Sequence, residues 1–152
     1  MSGSAALTGK DTTIIASRVL ANFGNGDIVV LDFPNNLVEG KAGKNGNVIY
    51  AYNASGNMVN VTVKVLAGSA DDKFMNTKMI EYKQDPASFV LLKGEFIKRV
   101  GDGAGNVSEI VYMLDGGIIQ KMVPSKENIE GDTEQALAVY TMLFANTDRV
   151  IA

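Results

Sequence analysis

Hydrophobic and polar residues alternate along much of this chain, most strictly from Met58 to Leu66. There Val59, Val61, Val63 and Val65 fall on one side, and Met58, Asn60, Thr62 and Lys64 on the other. Strand side chains alternate with period two, so this predicts a strand with one buried face and one wet face. From Gly26 to Gly68 the pattern reads strand, glycine turn, strand, glycine turn, strand. An earlier strand is predicted over Thr12–Val19, opening on four β-branched residues. A turn at Phe23–Gly26 leads into a strand at Asp27–Phe33. Pro34-Asn35-Asn36 stops that strand. The segment Asn36–Gly46 is irregular, with Gly40, Gly43 and Gly46, and Asn45-Gly46 signals a tight hairpin turn. A strand at Asn47–Asn53 places Val48, Tyr50 and Tyr52 on one face, and Ser55-Gly56-Asn57 turns the chain into Met58–Leu66.

One helix interrupts the strands. Ser69 is its predicted cap, and Ser69-Ala-Asp-Asp72 approximates a capping box. Phe74, Met75, Met79 and Tyr82 recur at helical spacing, and Asp85-Pro86 ends the element. Strands resume at Ser88–Val100, Val107–Leu114 and Ile118–Met122, with a glycine turn over Gly101–Gly105. A polar loop over Pro124–Asp132 precedes a long closing strand at Thr133–Ala145, for which a helix is the alternative. As a strand it is apolar on both sides. Leu137, Val139 and Leu143 share one face with Gln135 and Thr141; Ala136, Ala138, Tyr140, Met142 and Phe144 fill the other. Such a strand needs cover on both sides, from a two-sheet core or from another subunit.

Composition narrows the function classes. At 152 residues and 46% hydrophobic content the chain suits one ordered domain. It has no Cys, which removes disulfides, thiolate nucleophiles and Cys-bound metals, and no His, the commonest general base and transition-metal ligand. The net charge of −3 opposes a nucleic-acid reader, which carries a basic face. No basic stretch followed by an apolar one marks the start, and no run approaches about 18 apolar residues. No membrane segment is therefore expected, and synthesis in the cytoplasm is.

The remaining motifs have structural explanations. Gly101-Asp-Gly-Ala-Gly105 superficially resembles a phosphate cradle, but such a loop must open a helix, and β-type residues flank this one. Asn53-Ala-Ser, Asn60-Val-Thr and Asn106-Val-Ser match a glycosylation pattern that carries no weight without a leader. Asp115, Glu130, Asp132 and Glu134 lie near strand ends, yet no spacing selects a catalytic pair. Asp71 and Asp72 fit helix capping and the helix dipole. Neither a cofactor site nor a metal site is expected, and the chain does not read as an enzyme.

Several segments resemble the tail tube proteins of contractile-tailed bacteriophages. They are Gly26-Asp-Ile-Val-Val30, Gly43-Lys-Asn-Gly46, Gly56-Asn-Met-Val-Asn-Val-Thr-Val63, Asp115-Gly-Gly-Ile-Ile-Gln-Lys121 and Glu130-Gly-Asp-Thr-Glu-Gln-Ala-Leu-Ala-Val-Tyr-Thr141. The resemblance spans about Thr12 to Ala145 and rests on turns and strand patterns. Asn36–Gly46 departs from it by holding only Glu39, Lys41 and Lys44 as charged residues.

The resemblance implies a mainly β fold of two packed antiparallel sheets with one flanking α-helix, shared with the tube protein of type VI secretion. It implies homohexameric rings closed by pairing of sheet edges and stacked into a hollow tube inside a contractile sheath. An arm at about residues 1–11 and a tail at about 146–152 would order on assembly. A loop at about 36–47 would reach the next ring through Asn36, Leu37, Val38, Glu39, Lys41, Lys44 and Asn45. Asn60, Thr62 and Lys64 are candidates for the channel wall. The implied partners are other copies of the chain, tail sheath, baseplate and tail terminator proteins, and a tape measure protein. DNA then passes through the lumen without sequence recognition. The implied location is the tail of a virion. Related tubes of R-type bacteriocins or of a type VI-like secretion apparatus are the alternative, and a ligand-binding β-sandwich is a third reading.

Overall fold

The computed structural model describes residues 6–7, 11–24, 27–127, 129–131 and 133–151. The early strands are β1 (Ala6–Leu7), β2 (Thr12–Ile15), β3 (Arg18–Val19), β4 (Val29–Asp32), β5 (Val38–Ala42), β6 (Val48–Tyr52) and β7 (Val59–Leu66). Helix α1 (Ala70–Gln84) follows, then β8 (Leu92–Gly101), β9 (Val107–Ile119) and β10 (Leu137–Ile151). One antiparallel hydrogen-bonded path runs β3-β2-β8-β9-β10-β7-β4, with β1 attached to β8; β5 and β6 pair only with each other.

Strand β10 turns this path into two layers. Its residues Leu137–Phe144 pair with β7, and Met142–Ile151 pair with β9. The four valines of β7 thereby meet Ile15 of β2, Leu92 of β8 and Leu114 of β9, with Ala138, Tyr140, Met142 and Phe144 in the same buried cluster. Met75 of α1 joins it, while Phe74 packs at its margin. The fold is mainly β, a sandwich with one helix; the alternation predicts the strands, and the packing of two sheets is what the resemblance implies. The changeover at Phe144 needs a glycine opposite. A Cβ on Gly117 would sit 2.2 Å from the Phe144 ring.

The helix is fixed at its first turn. The Ser69 hydroxyl accepts from the Asp72 N–H at 3.2 Å, and the Asp72 carboxylate accepts from the Gly68 N–H at 2.7 Å. The Tyr140 hydroxyl also donates to Asp72, at 2.5 Å. Burial and then the neighbouring carboxylate push that phenol well above its ordinary range. Asp71 is fully buried and accepts three hydrogen bonds from β3 and the loop that follows it. These come from Arg18 Nε at 2.9 Å and from the Ala21 and Asn22 N–H groups at 2.7 Å. Burial opposes its charge, yet the Asn22 and Ala21 N–H groups and the Arg18 guanidinium outweigh burial and hold the carboxyl below its usual 3.8. The Asp71–Asp72 pair thus anchors both a loop and the core strand.

Element boundaries differ from the expected ones in instructive ways. Thr12–Val19 is two strands, folded back at Ala16 (φ 51°) and Ser17 (φ 68°). The irregular segment after Pro34 contains a regular strand, β5. The strand expected from Ser88 starts at Leu92. Before it, Phe89 meets Tyr82 edge-on at 5.4 Å between ring centroids. The two strands expected after Gly105 are one, β9, continuous through Asp115-Gly116-Gly117. The closing segment is a strand, not a helix, but Thr133–Ala136 forms a short 3-10 turn before it. Residues 146–151, expected as a tail, continue β10 beside β9. In the expected arm, Ala6–Leu7 pairs with Gly101 and Val100, and residues 1–5 and 8–10 lie outside the described residues. Asn25 and Gly26 of the predicted turn also lie outside them.

Two outcomes follow from this packing. Gly117→Ala should cost about 2–3 kcal/mol, since it overpacks a filled core, and Phe144→Leu in the same chain should recover part of the loss. Paired denaturant titrations measure both. For Asp71, a carboxyl with a lower pKa folded than unfolded adds stability above the unfolded value, and that stability is lost as pH falls through the folded value. Asp71→Asn should therefore flatten the decline in melting temperature below about pH 4, while Asp71→Ala should cost roughly 2–4 kcal/mol at pH 7.

Candidate functional site

The β5–β6 ribbon is built from local rules and then left bare. Asn45 and Gly46 adopt positive φ, 69° and 80°, which turns the chain tightly at the tip. The ladder runs from Ala42↔Val48 at the tip to Val38↔Tyr52 at the root. Cross-strand pairing puts Val38, Gly40 and Ala42 on the same face as Val48, Tyr50 and Tyr52, and Glu39 and Lys41 on the other with Ile49 and Ala51. Gly40 lets the Tyr50 ring lie across the ribbon, where a Cβ would stand 3.3 Å from it.

The root is tied to the body by backbone fit. The Asn53 N–H donates to the Leu37 carbonyl at 2.8 Å. The Asn53 side chain accepts from the Ser55 N–H at 3.2 Å and the Ser55 hydroxyl at 2.8 Å. Gly56 is buried against Leu37, whose Cα would lie 2.5 Å from any Cβ placed there. Asn57 Nδ2 donates to the Tyr52 hydroxyl at 2.7 Å. Beyond this root every residue of both strands is exposed. Tyr50 is 72% and Ile49 71% exposed. A two-stranded ribbon in water is marginal without cover. Contiguous exposed apolar surface of this kind marks an interaction site.

The expected contact residues sit on this ribbon. Asn36 and Leu37 are at its root, Val38, Glu39 and Lys41 on β5, and Lys44 and Asn45 at its tip. The alternation of β5 splits them: Val38 shares the tyrosine face, while Glu39 and Lys41 point away from it. Val48, Ile49, Tyr50 and Tyr52 carry most of the exposed apolar surface and were not among the expected contacts. The sequence signal was present in the alternating Val48, Tyr50 and Tyr52, which had no hydrophobic strand assigned opposite.

The candidate wall residues Asn60, Thr62 and Lys64 form one half-buried row on the outer face of β7. Cross-strand pairing flanks Asn60 with Asp32 and Leu143, Thr62 with Val30 and Thr141, and Lys64 with Val139. The row is mixed in polarity. On one side it is bounded by β4, whose outer margin pairs with no strand among the described residues.

The other motifs resolve into structure. Gly101–Gly105 is a hairpin turn between β8 and β9. The Asp102 carboxylate accepts from Ala104 N–H at 2.7 Å, Asn106 N–H at 3.2 Å and Asn106 Nδ2 at 2.8 Å. The Asn106 side chain first, then the Ala104 N–H, hold that carboxyl below its usual value. Asp115 accepts from the adjacent Gly116 N–H at 2.9 Å. Asp132 lies outside the described residues. Among the described residues no group of three acidic side chains is placed to hold a metal ion. No helix there is long and apolar enough to cross a membrane. Comparison of the sequence with protein-family models and with curated proteins finds no match.

Replacing Val48 and Tyr50 together by Ser should lower apolar-dye fluorescence while changing global stability by less than about 1 kcal/mol, because the ribbon lies outside the core. Dye titration and a denaturant midpoint on the same samples check this.

Proposed function

We propose that this chain is a structural subunit of a tail tube, assembling with its own copies into six-membered rings that stack into a hollow tube. The observation that carries the reading is the β5–β6 ribbon, which exposes a valine–tyrosine face that nothing among the described residues covers. Further support comes from the sheet's ends, β3 and β4, which present unpaired backbone among the described residues. Exposed edges invite strand addition unless a partner occupies them. In this reading the edges close the ring and the ribbon joins one ring to the next. The row Asn60, Thr62 and Lys64 faces the channel, through which the tape measure protein and then DNA pass. The sheath surrounds the tube, and baseplate and terminator proteins cap its ends. The segment resemblance to tail tube proteins supports the same reading, and the chain's mild negative charge suits a wall that must release phosphate backbones.

Negative-stain microscopy and sedimentation velocity across protein concentration test the assignment. Rings or tubes of uniform diameter are expected at high concentration, and the Val48→Ser/Tyr50→Ser variant should leave single rings or protomers. A monomer at every concentration would remove the assignment.

A further inference from the structure

Resting on the self-assembly reading, we infer where the ribbon of a second copy seats: in the groove between the end of β10 and the root of the receiving protomer's own ribbon. Strand β10 is paired to β7 only as far as Phe144↔Val59. Beyond that point it continues to Ile151 with β9 on one side, and no strand pairs with its other margin among the described residues. A groove of about 440 Å³ opens beside this stretch, with Phe33, Leu37, Gly56, Tyr112, Thr147 and Arg149 in its walls.

Thr147 is buried in the floor of the groove. Beside it, Arg149 Nε donates to the Tyr112 hydroxyl at 3.0 Å, and the guanidinium lies 5.7 Å from the Tyr112 ring centre. This Arg–Tyr platform is of the residue types that dominate interface centres, and it suits an incoming tyrosine.

The second copy is the occupant for three reasons. The chain itself supplies an uncovered ribbon with Tyr50 and Tyr52 on its apolar face, and seating that face leaves Glu39 and Lys41 in water. Past the Ala54–Asn57 turn, which lies against β10, the margin of that strand offers extended backbone that a strand can pair with. The receiving protomer's own ribbon cannot fill the site. It leaves the groove wall at Leu37 as an unbroken ladder from Val38↔Tyr52 to Ala42↔Val48, with no break at which to fold back. A ribbon-in-groove contact joins two different patches, so it propagates from copy to copy and does not close on itself as a dimer.

The absence of cysteine makes the contact directly testable. Ala42→Cys, on the tyrosine face of the ribbon, and Asn35→Cys, in the groove wall, leave Tyr50 and Arg149 in place; the two variants, the second enlarged by a tag, are mixed, assembled and oxidised mildly. A disulfide dimer of intermediate mass is expected, at least tenfold more abundant than either homodimer. Assembly by sedimentation without the mixed dimer overturns this seat and leaves the tube reading standing. Absence of both assembly and cross-link overturns the two together, and a dominant Ala42→Cys homodimer shows ribbon pairing with ribbon and overturns the seat alone. In the uncross-linked protein, Arg149→Ala, at an exposed side chain outside the core, should leave protomer melting within a few degrees and raise the critical concentration for assembly roughly tenfold. An unchanged critical concentration counts against the inference.

Discussion

Strand β10 hydrogen-bonds to β7 along its first half and to β9 along its second, and it does both only where Gly117 leaves room for the ring of Phe144. Among the described residues the two sheets share no other strand, and the buried cluster from Ile15 to Phe144 draws on strands on either side of that changeover. The left-handed conformation of Gly116 (φ 67°) beside it gives β9 the local freedom to follow its neighbour. A single strand therefore sets the spacing of the layers and ends as the open margin next to the ribbon root.

The acidic pair at the start of α1 connects this frame to the edge of the molecule. Asp72 receives the Tyr140 hydroxyl from β10, and Asp71 receives Arg18 from β3 and two backbone N–H groups from the loop that follows it. The Arg18 guanidinium also stands 5.5 Å from the Phe74 ring centre. The helix thus holds the edge strand β3 in place through a carboxylate that has left water, and the edge keeps a defined shape while lacking a strand neighbour. Burial of Asp71 is tolerated because its acceptor capacity is filled by the loop it holds.

Much of this was legible in the sequence where local chemistry and the tertiary outcome agree. The valine row of β7, the Ser69 cap and the Asn45-Gly46 tip each state their conformation in adjacent residues. The failures have a common physical cause. Ala16 and Ser17 turn the chain with positive φ, a conformation their side chains do not advertise, so one strand was read where two exist. β5 holds glycine and lysine, which read as breakers until β6 supplies a ladder opposite them. Asp115-Gly116-Gly117 looks like a turn, yet β8 and β10 on either side hold it extended. Residues 146–151 lack the alternation of Leu137–Phe144 because that stretch of strand has lost one of its covers. For the candidate site, Lys41, Glu39 and the tip were legible. The tyrosine face was legible as an alternation but its exposure was not, since burial and exposure give the same alternation in sequence.

The pairing of β7 with β10 closes a span of about 70 intervening residues, whereas the β8–β9 hairpin closes locally around the Asp102 turn. Long-range closure is slow relative to local closure. During synthesis the β8–β9 hairpin and α1 can therefore form while the valine face of β7 still waits in solvent, and no sandwich exists until Phe144 has emerged from the ribosome. A nascent protomer is for that interval an open β surface with unpaired edges, to which another strand can add, so premature strand pairing between chains during translation is the hazard of this topology.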